Sequence, residues 1–88
     1  MKTESEIMDD LRQILRNFEG REYSGNITPQ TMFFADLGFA SLDAILLGEQ
    51  LESYYARSIP FPSFLGSLAE RNVQDIEVGE LARFLSRL

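Results

Sequence analysis

Apolar side chains recur along this chain in helical rhythms. Ile7, Met8, Leu11, Ile14, Leu15 and Phe18 fall on one face of a helix. Thr3 with Glu6 has the spacing of a capping box, and Gly20 supplies an end. The pattern predicts a helix over about residues 4–19. Near the other end, Val78, Leu81, Ala82, Leu85 and Leu88 predict a last helix over about residues 77–87. Arg83 and Arg87 come late in it, where cations favour the helix dipole. Ser63 followed by Phe64, Leu65 and Leu68 predicts one short helix that stops at Arg71-Asn72.

The middle of the chain is less regular. A loop over about residues 21–40 carries Ser24-Gly25-Asn26 and Thr28-Pro29, which are turn chemistry. A loop this long in a short chain is often functional. Ile27, Met32, Phe33, Phe34 and Leu37 can pin it to the core, with one turn of helix over about residues 31–35. Ser41 then stands as N-cap of a helix over about residues 41–57, Asp43 suits its first turn, and Pro60 and Pro62 prevent its continuation. This helix has two apolar sides. Ala44, Leu47, Gly48, Leu51, Tyr54 and Tyr55 belong to a core face. Leu42, Ile45, Leu46 and Ala56 lie opposite, beside Glu49 and Glu52. So few helices cannot cover both sides, and the second cluster is expected to be a partner surface. No alternating run of β-branched residues appears, so strand signals are weak. The expected fold is all-α, a single domain over residues 1–88. It has three main helices, one short helix and a long first loop.

Composition removes several function classes. The chain has 88 residues with no Cys, His or Trp. That excludes disulfides, thiol nucleophiles, cysteine-based metal sites and a Ser-His-Asp triad. Carboxylates and one lysine, Lys2 near the start of the chain, are left for catalysis, and they form no plausible catalytic set. The net charge of −6, without clustered Lys and Arg, argues against nucleic acid. From 22 to 56 there is no Lys or Arg, while Glu22, Asp36, Asp43, Glu49 and Glu52 accumulate there. Such a stretch keeps a small protein soluble, and it would also draw in a basic partner surface. No apolar stretch is long enough to span a bilayer, and no basic segment followed by an apolar run opens the chain. A cytoplasmic monomer is expected.

A serine at a helix start is ordinarily a cap. Ser41 has further context: Gly38 before it, an anchored loop delivering it, and an apolar and acidic face just after it. The run Phe33-Phe34-Ala35-Asp36-Leu37-Gly38-Phe39-Ala40-Ser41-Leu42-Asp43-Ala44 resembles the modification site of acyl and peptidyl carrier proteins. There a serine heads the second helix of a four-helix bundle, in a pattern close to F-x-x-L-G-x-D-S-L. Leu37-Gly38-Phe39 is more similar to polyketide-type acyl carriers than to peptidyl carriers, and Val78-Gly79-Glu80-Leu81 is similar to the start of the family's last helix. The likeness runs over nearly the whole chain, and its specific part is residues 33–47. Two features differ from the family. Ala40 stands where aspartate usually precedes the serine, and the segment 60–75 is longer and more apolar.

The resemblance implies a non-catalytic carrier. A phosphopantetheinyl transferase would move 4′-phosphopantetheine from coenzyme A onto Ser41, and the arm's thiol would hold acyl groups as thioesters. The setting would be fatty-acid-like or polyketide biosynthesis. It also implies that Asp36, Leu42, Asp43, Ile45, Leu46, Glu49 and Glu52 meet acyl-loading, ketosynthase or acyltransferase-type enzymes. The alternatives are an aminoacyl or peptidyl carrier, and a small helical adaptor without an arm. The start at Met1 and a helix ending near Leu88 agree with a free-standing carrier.

Overall fold

In a computed structural model, which describes residues 1–88, the first helix, α1 (Glu4–Arg16), begins where the capping box places it. The Thr3 amide donates to the Glu6 carboxylate at 3.0 Å, and the Glu6 amide donates to Thr3 Oγ1 at 3.2 Å. α1 ends three residues earlier than its periodicity predicts. Glu19 and Gly20 both take positive φ, 52° and 75°. A two-residue turn of that kind joins antiparallel strands whose twist it matches. The result is a hairpin of β1 (Asn17–Phe18) and β2 (Arg21–Glu22), with Phe18 opposite Arg21. Gly20 therefore turns a hairpin rather than ending a helix, and the all-α expectation is corrected by this two-stranded ribbon.

Three further helices follow: α2 (Ser41–Tyr55), α3 (Phe61–Glu70) and α4 (Val78–Ser86). α3 starts at Phe61, ahead of Ser63, because Pro60 takes the capping position and Pro62 sits in the first turn, where no amide donor is needed. With ten residues against nine for α4, it is no minor element. Gly48 of α2 is buried, and a Cβ there would lie 3.0 Å from the Phe61 ring, so the missing side chain makes room for that ring.

The chain is mostly helical. α1 packs closely on α4. Ile7 and Leu11, Leu47 and Leu51, and Val78, Leu81 and Leu85 are the most deeply buried side chains. Each contributes about 1.5–3 kcal/mol by leaving water. No helix is long and apolar enough to cross a membrane.

The long loop is tied to the start of α4. Glu77 caps α4 without a side-chain bond. Instead the Val78 amide donates to the Thr31 carbonyl at 2.8 Å, and the Gly79 amide donates to the Pro29 carbonyl at 2.9 Å. Loop carbonyls thus satisfy donors that a helix start leaves free. A Cβ at Gly79 would lie 2.9 Å from the Pro29 carbonyl oxygen, so the approach needs glycine. Met32 bridges Glu77 in antiparallel fashion, and the Phe33 amide donates to the Ile76 carbonyl at 2.9 Å. Residues 33–37 form a turn, in place of the helical turn expected at 31–35.

Candidate functional site

The turn that precedes Ser41 is held by one side chain from far along the sequence. Asp75 lies between α3 and α4. Its carboxylate accepts from the amides of Phe34 at 2.9 Å, Ala35 at 3.0 Å and Ile76 at 2.8 Å. Partial burial alone would raise its pKa, but these three donors hold it below the ordinary carboxylate value. Asp36 closes the same turn by accepting from the Met32 amide at 2.8 Å. Gly38 then adopts φ 71°, a conformation that glycine supplies without strain. Phe39 is buried on Phe18 and Phe33, with ring centroids 5.0 and 5.2 Å apart, so the backbone reaches α2 from a fixed direction.

Ser41 is not the cap of α2. Ala40 occupies that position with extended backbone, and Ser41 is the first helical residue. The capping work passes to Asp43, whose Oδ2 accepts from the Ala40 amide at 2.8 Å. That bond, joined by Arg21, keeps the Asp43 carboxyl below its usual range. The Ser41 hydroxyl is exposed and makes no hydrogen bond within the chain, and neither do the amides of Ser41 and Leu42. A free hydroxyl on the positive end of a helix dipole, beside two free N–H donors, suits a phosphate ester.

The outer side of α2 divides. Leu42 and Ile45 are 65% and 52% exposed, large values for such side chains. Leu46, expected beside them, is half-buried and packs against the core. On the core side Ala44, Leu47, Gly48 and Leu51 are buried as predicted. Tyr55 is only half-buried and Tyr54 is exposed. Both tyrosines turn back to Asp10 of α1, which accepts from the Tyr54 hydroxyl at 3.1 Å and the Tyr55 hydroxyl at 2.8 Å.

The acidic stretch is less open than its sequence suggests. Arg21 reaches across from β2 to pair with Asp43 at 3.1 Å, and its guanidinium lies over the Phe39 ring. Glu52 accepts from the Ile59 amide at 2.8 Å. Asp36 serves its turn. Glu49 is exposed and has no ion-pair partner. Ser41, Leu42, Ile45 and Glu49 therefore fall within the first nine residues of one helix. Asp43 is paired beside them, Asp36 lies in the preceding turn, and Glu52 braces the helix end.

Beside Ile45 and Glu49, an open cleft of about 580 Å³ separates α2 from α3, lined also by Gly48, Phe61 and Leu65. Phe61, Phe64 and Leu68 of the unusually apolar segment 60–75 enter the core, and Leu65 remains at this cleft. No group of three or more His, Cys, Asp and Glu side chains converges as for a metal ion.

Sequence reasoning missed Asp75 and Arg21. Asp75 lies about forty residues from the Phe34 and Ala35 amides it holds, and no local spacing signals that link. Arg21 stands at the edge of the cation-free stretch, and only the unexpected hairpin turns it inward. No family model, curated protein or solved structure matches the chain.

Proposed function

We propose that this chain is an acyl carrier protein that holds acyl intermediates on a 4′-phosphopantetheine arm attached to Ser41. The observation that carries the reading is the state of Ser41: an unengaged hydroxyl at the first position of α2, on a backbone anchored from Asp75. The Ser41 and Leu42 amides would face the phosphodiester. Arg21 would add a positive charge near it, at the cost of loosening its pair with Asp43. The arm supplies the thiol on which an acyl group is held as a thioester. The protein's own part is to display the serine, order the loop and offer a recognisable face.

That face is the front of α2. Exposed Leu42 and Ile45 beside Glu49 fit a partner surface with an apolar centre and basic rim. The partners would be a phosphopantetheinyl transferase and acyl-loading, ketosynthase or acyltransferase-type enzymes. The protein would work in the cytoplasm as a non-catalytic monomer in fatty-acid-like or polyketide synthesis. Ala40, in place of the family's aspartate, leaves Asp43 as the nearest carboxylate on the helix, tied to the Ala40 amide. This shifts the acidic recognition point to the other side of Ser41.

The test is intact mass after incubation with coenzyme A and a broad-specificity phosphopantetheinyl transferase. Wild type gains one phosphopantetheine and Ser41→Ala gains none. No gain with several transferases would overturn the reading in favour of an arm-free adaptor.

A further inference from the structure

A groove between α3 and α4 has chemistry opposite to that of α2. The chain has eight Lys and Arg residues. Five are engaged. Lys2 pairs with Asp10, Arg12 with Asp9, Arg21 with Asp43 and Arg71 with Glu80. Arg16 donates to the carbonyls of Tyr23 and Gly25. Arg57, Arg83 and Arg87 make no such bond, and two of these three stand one helical turn apart at the end of α4. Their side chains border an open groove of about 410 Å³, floored by Phe64 and Phe84 with ring centroids 4.7 Å apart. Ser67 and Arg71 line it from the α3 side, and Arg71 pairs across the groove with Glu80, one turn before Arg83 on α4. Glu80 is thus neutralised within the groove, while Arg83 and Arg87 are not.

Favourable interaction with the helix dipole explains cations late in α4. It does not explain why both border the same aromatic-floored groove as Arg71. Guanidinium groups bind carboxylates with paired hydrogen bonds, and an aromatic floor accepts a large apolar side chain. The groove is open, its arginines are exposed, and every buried side-chain polar atom already has a partner. Arg71 is already paired with Glu80, so the guanidinium groups left for an anion, Arg83 and Arg87, stand on one helix. Charged side chains around a small apolar floor suit a polypeptide.

We propose that this groove docks an acidic segment of another protein, with carboxylates on both sides of one leucine- or phenylalanine-sized anchor. Such a segment is repelled by the acidic front of α2, and a basic partner of α2 is repelled by the groove. The two faces therefore select different partners, and the groove's lining includes no residue of α2. A second copy of this chain also offers acidic and apolar side chains on α2, but its net charge of −6 opposes self-association.

The test needs no arm and stands apart from the modification of Ser41. The nitrogen-labelled full chain is titrated with the capped peptide Glu-Glu-Phe-Glu-Glu and followed by amide chemical shifts. Shifts are expected in α3 and α4 around Phe64, Ser67, Arg83 and Phe84, with affinity falling as salt rises. Losing both exposed pairs in Arg83→Glu/Arg87→Glu weakens binding about tenfold or more. Arg83→Gln/Arg87→Gln gives a smaller loss in the same direction and serves if the reversal variant does not fold. Arg57→Glu, at the unpaired arginine outside the groove, does not weaken binding. Four outcomes would overturn the proposal: no shifts, unchanged affinity in both arginine variants, the same shifts from inorganic phosphate alone, or concentration-dependent self-association through these residues.

Discussion

The two ends of α2 are built on opposite plans. At the rear, Tyr54 and Tyr55 donate to the buried carboxylate of Asp10, and Lys2 closes the cluster at 3.0 Å. Burial pushes the Tyr55 hydroxyl up, and the Asp10 carboxylate beside it adds to that. For Asp10, burial alone would raise the pKa, but donors from Tyr55, Lys2 and Tyr54 bring it below the ordinary value. Every polar group in that cluster has a structural partner. At the front the backbone is equally well held, through Asp75, Asp36 and Asp43, but the side chains of Ser41, Leu42, Ile45 and Glu49 are left idle. Ordered backbone carrying unengaged side chains is the arrangement the proposed working surface requires. Ordered side chains consumed by one another mark scaffolding.

Asp10→Ala attacks the rear end and has the largest expected effect. Removing a buried carboxylate that joins α1 to α2 costs about 2–4 kcal/mol, read as a lower denaturant midpoint. Because the damage lies away from Ser41, native protein is still modified at the wild-type rate. Equal loss of stability and modification rate would break the distinction between the two ends.

Asp75→Ala attacks the anchoring of the front end. Losing three charge-assisted acceptor contacts costs about 1–3 kcal/mol. The specific signature is faster hydrogen exchange at Phe34 and Ala35 together with slower modification of Ser41. Unchanged exchange at those amides would mean that Asp75 does not order the turn.

Acid sharpens the comparison because both ends rely on depressed carboxylates. Asp10, Asp43 and Asp75 all titrate below the ordinary value of 3.8. The unfolded chain therefore takes up these protons first as pH falls. The stability they supply is fully present above the unfolded value. It is lost as pH falls below about 4 through their folded values. Thermal melts across this range check it, and a stability loss already centred near neutral pH would contradict it.

How much of this was legible beforehand follows from the range of each interaction. Periodicity located α1, α2 and α4 because each buries a stripe of residues three and four apart. It misplaced the end of α1 because Phe18 keeps its core position in a strand as readily as in a helix. Ser41 stood out through its neighbours, yet its assignment as cap was wrong. A cap preference cannot reveal that Asp43, two residues on, reaches back to the Ala40 amide. Leu42 and Ile45 were separable from the core by angle alone. Leu46 was not, since its burial depends on neighbouring elements whose positions the pattern does not give. Asp75 was invisible because the loop amides it holds, Phe34 and Ala35, are remote in sequence.

The smallest stability effect belongs to the exposed pair. Leu42→Ser/Ile45→Ser changes folding stability by no more than about 0.5 kcal/mol, since neither side chain is in the core. It slows acyl transfer to a cognate partner enzyme several-fold, measured by thioester loading. Undiminished transfer would remove this face from recognition.

The measurement that bears most directly on the central claim is the location of the arm. After incubation with coenzyme A and a phosphopantetheinyl transferase, fragment-ion mapping should find the added group on Ser41 and on no other serine. Addition at a different serine, or none with several transferases, would contradict the account.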